Sequence, residues 1–186
     1  MVRKAMLPIL RTKRSILNGF TMTDAGNVQK MAGDKNVSKT TLNIPHPYED
    51  GMAEKWIAHH LSCYLDGTGL SLAIRNKKGK LLGCISLGIN KTLRNAELGY
   101  WIGFRHWGKG YCTEAARAII RYAFKDLKLN KITAYHLAIN PASGRVMQKC
   151  GMVQVGLKRE HVPKDGKYLD VCEYEILRKD FKVRGR

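Results

Sequence analysis

The stretch Arg105-His106-Trp107-Gly108-Lys109-Gly110-Tyr111 lies between an apolar segment, Ala96 to Phe104, and a sequence of helical periodicity that begins near Cys112. The apolar segment predicts a strand, and the periodic sequence predicts an amphipathic helix. A glycine-rich turn that leads from a strand into a helix directs free backbone N–H groups outward at the positive end of the helix dipole. Such a turn suits a phosphate or pyrophosphate group.

The segment after this helix, Ile132 to Ile139, predicts a buried strand. A strand, a helix and a second strand in succession form a right-handed crossover, so this strand is expected to pair in parallel with Ala96 to Phe104. Asn140-Pro141 then predicts the start of a short helix, because Asn caps helices and Pro suits their first position, and Gly151 predicts its end.

The remaining elements surround this unit. The other predicted strands and helices are strands at Ile9 to Phe20, Leu70 to Arg75, Leu81 to Ile89, Met152 to Glu160 and Tyr168 to Leu177, and helices at Thr23 to Gly33 and Tyr48 to His60. Most of these strands follow one another as hairpins, so the sheet is expected to be mostly antiparallel. The order predicts one domain over residues 1–186 of the α+β class, with one parallel strand pair at the centre of a mixed sheet.

The composition is that of a basic protein, with 33 Lys and Arg against 15 Asp and Glu and a formal net charge of +18. Such a charge attracts anions, including polyphosphates and nucleic acid. No apolar run approaches the roughly 18 residues that cross a bilayer, and no signal-type segment begins the chain, so we expect no membrane contact and a cytoplasmic location. Five scattered cysteines are typical of free thiols. His59 and His60 are adjacent and point about 100° apart on a helix, so no metal is expected.

The turn alone suits a dinucleotide, a nucleoside triphosphate or coenzyme A. Its glycines are too closely spaced for a G-x-G-x-x-G fingerprint, and no G-x-x-x-x-G-K-[ST] motif occurs. The segment Arg105-x-x-Gly108-x-Gly110 resembles the acyl-CoA signature, Q/R-x-x-G-x-G/A, of the GNAT superfamily of N-acetyltransferases. Further segments are similar to the branch that acetylates the N-terminal alanine of ribosomal proteins: Ala96-Glu97-Leu98-Gly99-Tyr100-Trp101-Ile102, Asn140-x-x-Ser143-x-x-Val146-x-x-Lys149-x-Gly151-Met152 and Gly166-x-x-x-Asp170. The resemblance implies a twisted sheet whose central parallel strands splay apart, flanked by helices.

The resemblance also implies acetyl-CoA as the co-substrate. A backbone N–H near Ile102 or Gly103 would polarise the thioester carbonyl, and Asn140 would hydrogen-bond the pantetheine arm. The superfamily often has a Tyr, serving as general acid, four residues after the position of Ser143, where this chain has Met147; Ser143 is what the branch offers instead. The pyrophosphate would be held by the turn residues Arg105, His106, Trp107, Gly108, Lys109, Gly110 and Tyr111.

Three side chains are candidates for the general base that takes a proton from the acceptor amine. Glu97 lies on the strand that leads into the turn, and Glu160 lies near the end of a later strand. His136 lies on the parallel strand, where side chains alternate, and the sequence does not say whether His136 or Tyr135 faces the cleft. The choice among the three stays open at this point.

The acceptor is predicted from the cost of deprotonating it. An N-terminal α-amine has a pKa near 7.7 to 8.0, against about 10.4 for a lysine-type amine, so a protein N-terminus of the ribosomal type is favoured. A basic chain also suits proximity to a ribosome or RNA, whereas it repels polycations. The alternatives are a small amine, either a polyamine or an aminoglycoside, and a non-catalytic CoA-binding or RNA-associated module. Acceptor contacts are expected from the loop Lys39 to Tyr48 and the turn Lys164 to Lys167. A monomer and a homodimer both remain open.

Overall fold

The structure is a computed structural model that describes residues 6–182. These residues form eight strands and five α-helices. The strands are β1 (Leu10–Arg11), β2 (Ser15–Asn18), β3 (Gly69–Asn76), β4 (Leu81–Asn90), β5 (Asn95–Ile102), β6 (Lys131–Leu137), β7 (Val153–Lys164) and β8 (Lys167–Leu177). The helices are α1 (Ala25–Ala32), α2 (Lys35–Lys39), α3 (Met52–Leu65), α4 (Tyr111–Lys125) and α5 (Pro141–Lys149).

All eight described strands belong to one sheet, in the order β1-β2-β3-β4-β5-β6-β8-β7. Each neighbouring pair is antiparallel except β5 and β6, which are parallel and are joined through α4. The predicted fold class, a mostly antiparallel mixed sheet with one central parallel pair and flanking helices, is confirmed.

The parallel strands β5 and β6 separate along their length. Their last paired residues are Leu98 and Ala134, although β5 continues to Ile102 and β6 to Leu137. A gap therefore opens after Leu98, and the backbone groups on its two edges do not pair with each other. α4 begins at Tyr111, close to the point where β5 ends.

Helices cover both faces of the sheet. On one face α4 buries its apolar stripe, including Ile119 and Ile120, and α5 packs beside it through Met147. On the other face α1, α2 and α3 form a second apolar cluster around Trp101 of β5. Because side chains alternate along a strand, the two sides of the gap carry different chemistry.

The alternation along β5 places Glu97, Gly99 and Trp101 on the side covered by α1, α2 and α3, which we call the α1–α3 side. Leu98 and Tyr100 point the opposite way, to what we call the α4–α5 side. Side-chain alternation along β5 therefore places the Glu97 carboxylate and the Tyr100 phenol on opposite faces of the sheet.

The prediction of one strand from Ile9 to Phe20 is wrong. This segment folds as the hairpin β1–β2, because the polar residues between the strands form a turn. The N–H of Thr12 donates to the carbonyl of Ser15 (2.9 Å), and Thr12 Oγ1 accepts from the N–H of Ser15 (2.8 Å). A hydroxyl that hydrogen-bonds a nearby backbone group favours such a turn.

Other predicted elements differ in extent from those of the structure, and one helix was not predicted. The sequence prediction omitted α2, a short helix capped by Asp34, whose Oδ1 accepts from the N–H of Asn36 at 2.8 Å. α3 begins at Met52 rather than Tyr48, after Gly51 in a left-handed conformation. The residues from Phe104 onward, predicted as the end of β5, form a short 3-10 turn instead.

Candidate active site

A cavity of about 780 Å³ lies in the gap between β5 and β6, and we call it the central cavity. The start of α4, the first turn of α5 and the segment between α2 and α3 complete its walls. In the segment between β5 and α4, Arg105 and Lys109 are exposed and Gly103 is buried. The predicted site residues in its lining are Glu97, Ile102, His106, Trp107, Gly108, Gly110, Tyr111, Asn140 and Ser143.

The glycine turn leaves a row of free backbone donors. Gly108 and Gly110 have φ values of 70° and 78°, which favour glycine, and a Cβ on Gly108 would meet nothing within 4 Å. Among the described residues, the N–H groups from Gly108 to Thr113 have no hydrogen-bond acceptor, and the first helical bond of α4 joins Glu114 N to Gly110 O at 3.2 Å. This open row at the start of a 15-residue helix fits the pyrophosphate of coenzyme A.

The turn is tied to the end of β5. Trp107 Nε1 donates to the carbonyl of Ile102 at 2.6 Å. The N–H of Gly103 donates to Leu82 O at 2.9 Å, so this amide belongs to the β4–β5 ladder. Hydrogen bonds alternate along an antiparallel pair, so the N–H of Ile102 points away from β4 and into the gap. Of the two amides predicted to polarise a carbonyl, that of Ile102 therefore faces the central cavity.

Two hydroxyl groups meet on the α4–α5 side of the central cavity. Tyr100 Oη lies 2.8 Å from Ser143 Oγ, and it also donates to the carbonyl of Ser143 at 3.1 Å. Burial raises the pKa of Tyr100 well above its usual value of 10, so the phenol stays protonated. Met147, which stands where the superfamily often has a Tyr, is 1% exposed and packs in the core.

Tyr100 is a candidate site residue that the sequence prediction missed. It comes from β5, and Ser143 comes from the first turn of α5, so the pair forms only when the crossover is complete. The sequence does carry a signal for its position: Tyr100 is three residues after Glu97 on a strand, and an odd separation places the two side chains on opposite faces. The pair brings a phenol to Ser143 although the helix itself carries none.

His136 faces the α4–α5 side. Glu97 is the register partner of Thr133, so Tyr135 shares the face of Glu97 and His136 has the opposite one. The ring of His136 is buried, and its Nδ1 lies 2.8 Å from the carbonyl of Leu137. This histidine is therefore on the same side as the hydroxyl pair and on the far side of the sheet from Glu97.

Asn140 has a structural role in the first turn of α5. Its Oδ1 accepts from the N–H of Ser143 at 3.3 Å, and its Nδ2 donates to the carbonyl of Thr40 at 3.0 Å. The predicted cap of α5 is confirmed. The same amide also fixes the loop that follows α2 against the mouth of the central cavity.

Glu97 is the only carboxylate among the described residues that line the central cavity. Tyr135 lies beside it on the same face, and its hydroxyl donates to Glu173 Oε1 at 3.0 Å. Glu173 also forms an ion pair with Lys158 at 3.3 Å. Glu97, in contrast, has no hydrogen-bond or ion-pair partner among the described residues of the cavity wall.

A second cavity, which we call the polar groove, starts at Glu97. It has a volume of about 510 Å³ and shares Asn43, Ser86, Glu97 and Gly99 with the central cavity. Besides Glu97, its lining includes Gly88, Ile89, Gly99 and four short, neutral side chains whose amide or hydroxyl groups can hydrogen-bond a peptide. These groove residues are Asn43, Thr68, Ser86 and Asn90.

Glu160 lies apart from these residues. It is exposed on β7, has a φ of 46°, and its N–H donates to Asp170 Oδ1 at 2.8 Å. It stands where the β7–β8 register shifts, between Lys158 and Val162. Neither the central cavity nor the polar groove includes it.

Three further features complete the description of residues 6–182. No cluster of three or more His, Cys, Asp or Glu side chains in this range is arranged to hold a metal. The helices of the same range are too short or too polar to span a bilayer. All five cysteines, which lie within it, are free thiols.

The fold and the glycine turn together define an acyl-CoA-dependent acyltransferase. Residues 14–153 match the family described as Acetyltransferase (GNAT) domain, which is most of the chain. The chain belongs to this family, whose members transfer an acetyl group from acetyl-CoA, and this assignment favours an enzyme over a non-catalytic module.

Individual proteins give the assignment more detail. The chain is 34% identical over 105 residues to a Bacillus subtilis (strain 168) protein named "Putative ribosomal N-acetyltransferase YdaF", an alignment that covers 56% of this chain and 57% of that one. A Vibrio cholerae spermidine N-acetyltransferase, solved with CoA and spermine, superposes with a TM-score of 0.78 at 23% identity over 90% of this chain and 97% of that one. A Vibrio cholerae structure described as a ribosomal-protein-serine acetyltransferase gives a TM-score of 0.77 at 20% identity, with coverage of 92% and 99%.

Proposed function

We propose that this enzyme acetylates the N-terminal α-amine of a protein, by direct attack of the amine on acetyl-CoA in a ternary complex in the cytoplasm. The observation that carries this proposal is the polar groove, which leads away from Glu97 and has neutral amide and hydroxyl groups on four of its lining side chains. A peptide has a backbone donor or acceptor at every residue and would use such a groove, whereas a small amine ends at its own few atoms.

The charge around Glu97 supports an acceptor with a single amine near the reacting atoms. A polyamine carries several ammonium groups, and each would need a carboxylate or carbonyl partner once it left water. The described lining of the two cavities offers one carboxylate, and the nearby Glu173 is already paired. An α-amine also needs roughly 3 kcal/mol less than a lysine-type amine to become neutral at pH 7.

The residues on the two sides of the gap would have different roles in the reaction. Acetyl-CoA supplies the acetyl group as a thioester. The free N–H groups from Gly108 to Thr113 would hold its pyrophosphate, and the N–H of Ile102 would stabilise negative charge on the carbonyl oxygen. Glu97 would take the proton of the attacking amine, directly or through a water molecule. On the other side of the sheet, the hydroxyls of Tyr100 and Ser143 would hydrogen-bond the departing sulfur.

A small amine is the second candidate acceptor, and the names of relatives support it. The spermidine acetyltransferase with bound CoA and spermine has this fold, and a relative from the same organism, 24% identical over 91% of this chain, is named spermidine N(1)-acetyltransferase. The net charge of +18 opposes a polycationic acceptor and supports proximity to a ribosome or RNA.

The test is an acceptor screen at fixed acetyl-CoA, with release of free thiol as the measurement. Peptides with a free N-terminus are compared with the same peptides blocked at the N-terminus, with spermidine and with an aminoglycoside. We expect turnover of the free peptides only. Turnover of spermidine or the aminoglycoside above that of every peptide would contradict the proposal.

Two carboxylate variants distinguish the candidate bases. Replacing Glu97 by Gln should lower kcat at least about 100-fold, because the amine loses its proton acceptor. Glu160→Gln removes a carboxylate that lies outside both cavities, and we expect its kcat to stay within about twofold of the wild type, the spread of an exposed substitution. Unchanged turnover in Glu97→Gln would remove Glu97 from the mechanism.

A further inference from the structure

The part of the central cavity on the α1–α3 side is apolar and aromatic. Its wall is built by Val28 of α1, Ile44 and Tyr48 of the segment before α3, Met52 and Trp56 of α3, and Trp101 of β5. The rings of Trp56 and Trp101 are 6.5 Å apart at 49° to each other, so they form two faces of one recess. We call the recess bounded by Tyr48, Trp56 and Trp101 the aromatic pocket.

The aromatic pocket and Glu97 lie on the same face of one strand. The strand rises about 13 Å over the four residues from Glu97 to Trp101, and Gly99 lies midway, about 6.7 Å from each. A Cβ at Gly99 would lie 2.9 Å from Ser86 Oγ, so glycine leaves room here for that hydroxyl, and the face between Glu97 and Trp101 carries no larger side chain. An amine at Glu97 therefore has the indole of Trp101 on one side and the polar groove on the other.

The histidine behind Trp56 in the aromatic pocket is neutral. His60 packs edge-on against Trp56 with its ring centroid 4.3 Å away, and neither ring nitrogen has a hydrogen-bond partner among the described residues. Burial, with a smaller contribution from His59, lowers the pKa of His60 to about 4, so the ring is neutral at pH 7. The carboxylate nearest to the recess along β5 is Glu97 itself.

These positions match the three substituents of an N-terminal residue. The α-amine would lie at Glu97, the rest of the chain would follow the polar groove, and the side chain would enter the aromatic pocket. We propose that the aromatic pocket reads the first residue of the acceptor and selects a large apolar side chain, such as Leu, Met or Phe, over Ala, Ser or Gly. This inference rests on the proposed function, since it concerns the same acceptor site.

The size of the preference follows from burial of the side chain. Leucine has three more carbon atoms than alanine, and transfer of each from water to an apolar pocket favours binding roughly threefold to fourfold. We therefore expect kcat/KM for a peptide that begins with Leu to exceed that of the matched Ala peptide roughly 30-fold.

The experiment is a peptide series that differs only in the first residue. Peptides beginning with Leu, Met, Phe, Ala, Ser, Gly and Lys are assayed for kcat/KM with acetyl-CoA saturating. Equal values for Leu and Ala would overturn the inference and leave the proposed function standing. A preference for Lys would also overturn it, because the aromatic rings would then bind a cation. Absence of turnover with every peptide would count against the proposed function itself.

Variants of the aromatic pocket provide the second measurement. Trp56 is half-buried, and Trp56→Leu should reduce the Leu-to-Ala ratio of kcat/KM to roughly a third of its wild-type value or less. The matched control is Phe181→Leu, which shortens another half-buried aromatic residue that packs on Phe124 outside the cavity. Its ratio should stay at the wild-type value. A shift of thermal unfolding by CoA in each variant shows that the protein is folded, and an unchanged ratio in folded Trp56→Leu would overturn the inference.

Discussion

The residue Arg14 supports the pyrophosphate turn from outside, and a double mutant can measure how. Its guanidinium forms an ion pair with Glu114 in the first turn of α4, and it donates to the carbonyl of Lys109 at 2.8 Å. It also lies 5.0 Å from the centre of the Tyr111 ring. Burial acts to raise the pKa of Glu114, but the hydrogen bonds from Arg14 and Thr12 outweigh it and lower the pKa. The carboxylate is therefore ionised at neutral pH.

The perturbation is Arg14→Met, which leaves the charge of Glu114 unpaired near the proposed anion site. Glu114 lies one helical turn beyond Gly110, so its carboxylate is about 8 Å from the free amides. At that distance and an effective dielectric of about 40, two charges interact by roughly 1 kcal/mol. A pyrophosphate carries more than one charge, so we expect CoA binding to weaken by roughly 1.4 to 2 kcal/mol, which is about 10- to 30-fold in Kd.

The assay is calorimetric titration with CoA at low and high salt. The double variant Arg14→Met with Glu114→Gln removes both charges, and we expect its Kd to return to within about threefold of the wild type. Glu114→Gln alone should bind CoA at least as well as the wild type. The defect of Arg14→Met should shrink as salt rises, because the unpaired charge is exposed to screening. Thermal unfolding of each variant without CoA controls for loss of the fold.

A double variant that stays as weak as Arg14→Met would refute the reasoning. Arg14 would then act on the phosphate directly or through the Lys109 carbonyl, and neutralisation of Glu114 would not be its role. Equal Kd for Arg14→Met and the wild type would refute any role of this contact in CoA binding.

Three further outcomes test other contacts. Tyr100→Phe and Ser143→Ala should each lower kcat about 10- to 100-fold with little change in KM for acetyl-CoA, as expected for a hydrogen bond of roughly 1.5 to 3 kcal/mol to a departing charge; a change in KM alone would contradict this. His60→Phe should remove a loss of stability in acid: the unfolded ring takes up a proton near pH 6.5 and the folded ring only near pH 4, so between pH 7 and pH 5 the wild type should lose roughly 2 kcal/mol more than the variant in urea unfolding. Asp24→Asn leaves the guanidinium of Arg75 without its buried carboxylate partner, so the free energy of unfolding should fall by the roughly 3 to 5 kcal/mol typical of such pairs. A loss of less than about 1 kcal/mol in the same assay would show that water replaces the carboxylate.

The centre of the fold was predictable because its signals are local. The change from strand alternation to helical spacing around Gly110 is visible in the sequence, and the crossover rule then fixes the parallel pairing of β5 and β6. The N-terminal hairpin was not predictable, because its turn depends on the hydroxyl of Thr12 within a segment whose sequence is typical of one continuous strand. The five-residue α2 is too short to show a period.

The donor and acceptor halves of the site also differ in how far their residues are predictable from local sequence. The donor half is largely one turn and one helix start, so its residues are adjacent in the sequence. The acceptor half joins Tyr48, Trp56 and Trp101 from separate elements, and no spacing groups them before the sheet and helices have packed. The pair of Tyr100 and Ser143 spans 43 residues and has the same origin.

The gap that begins after Leu98 divides the sheet into a block of five strands and a block of three. Within the sheet, four residue pairs connect the blocks, and each block keeps exposed backbone edges that the other does not satisfy. A donor molecule seated in the gap would bridge them, so its binding free energy adds to the resistance of the protein to unfolding, by about 1.4 kcal/mol for each tenfold excess over Kd. The lifetime of this protein against proteases would then follow the supply of acetyl-CoA in the cell.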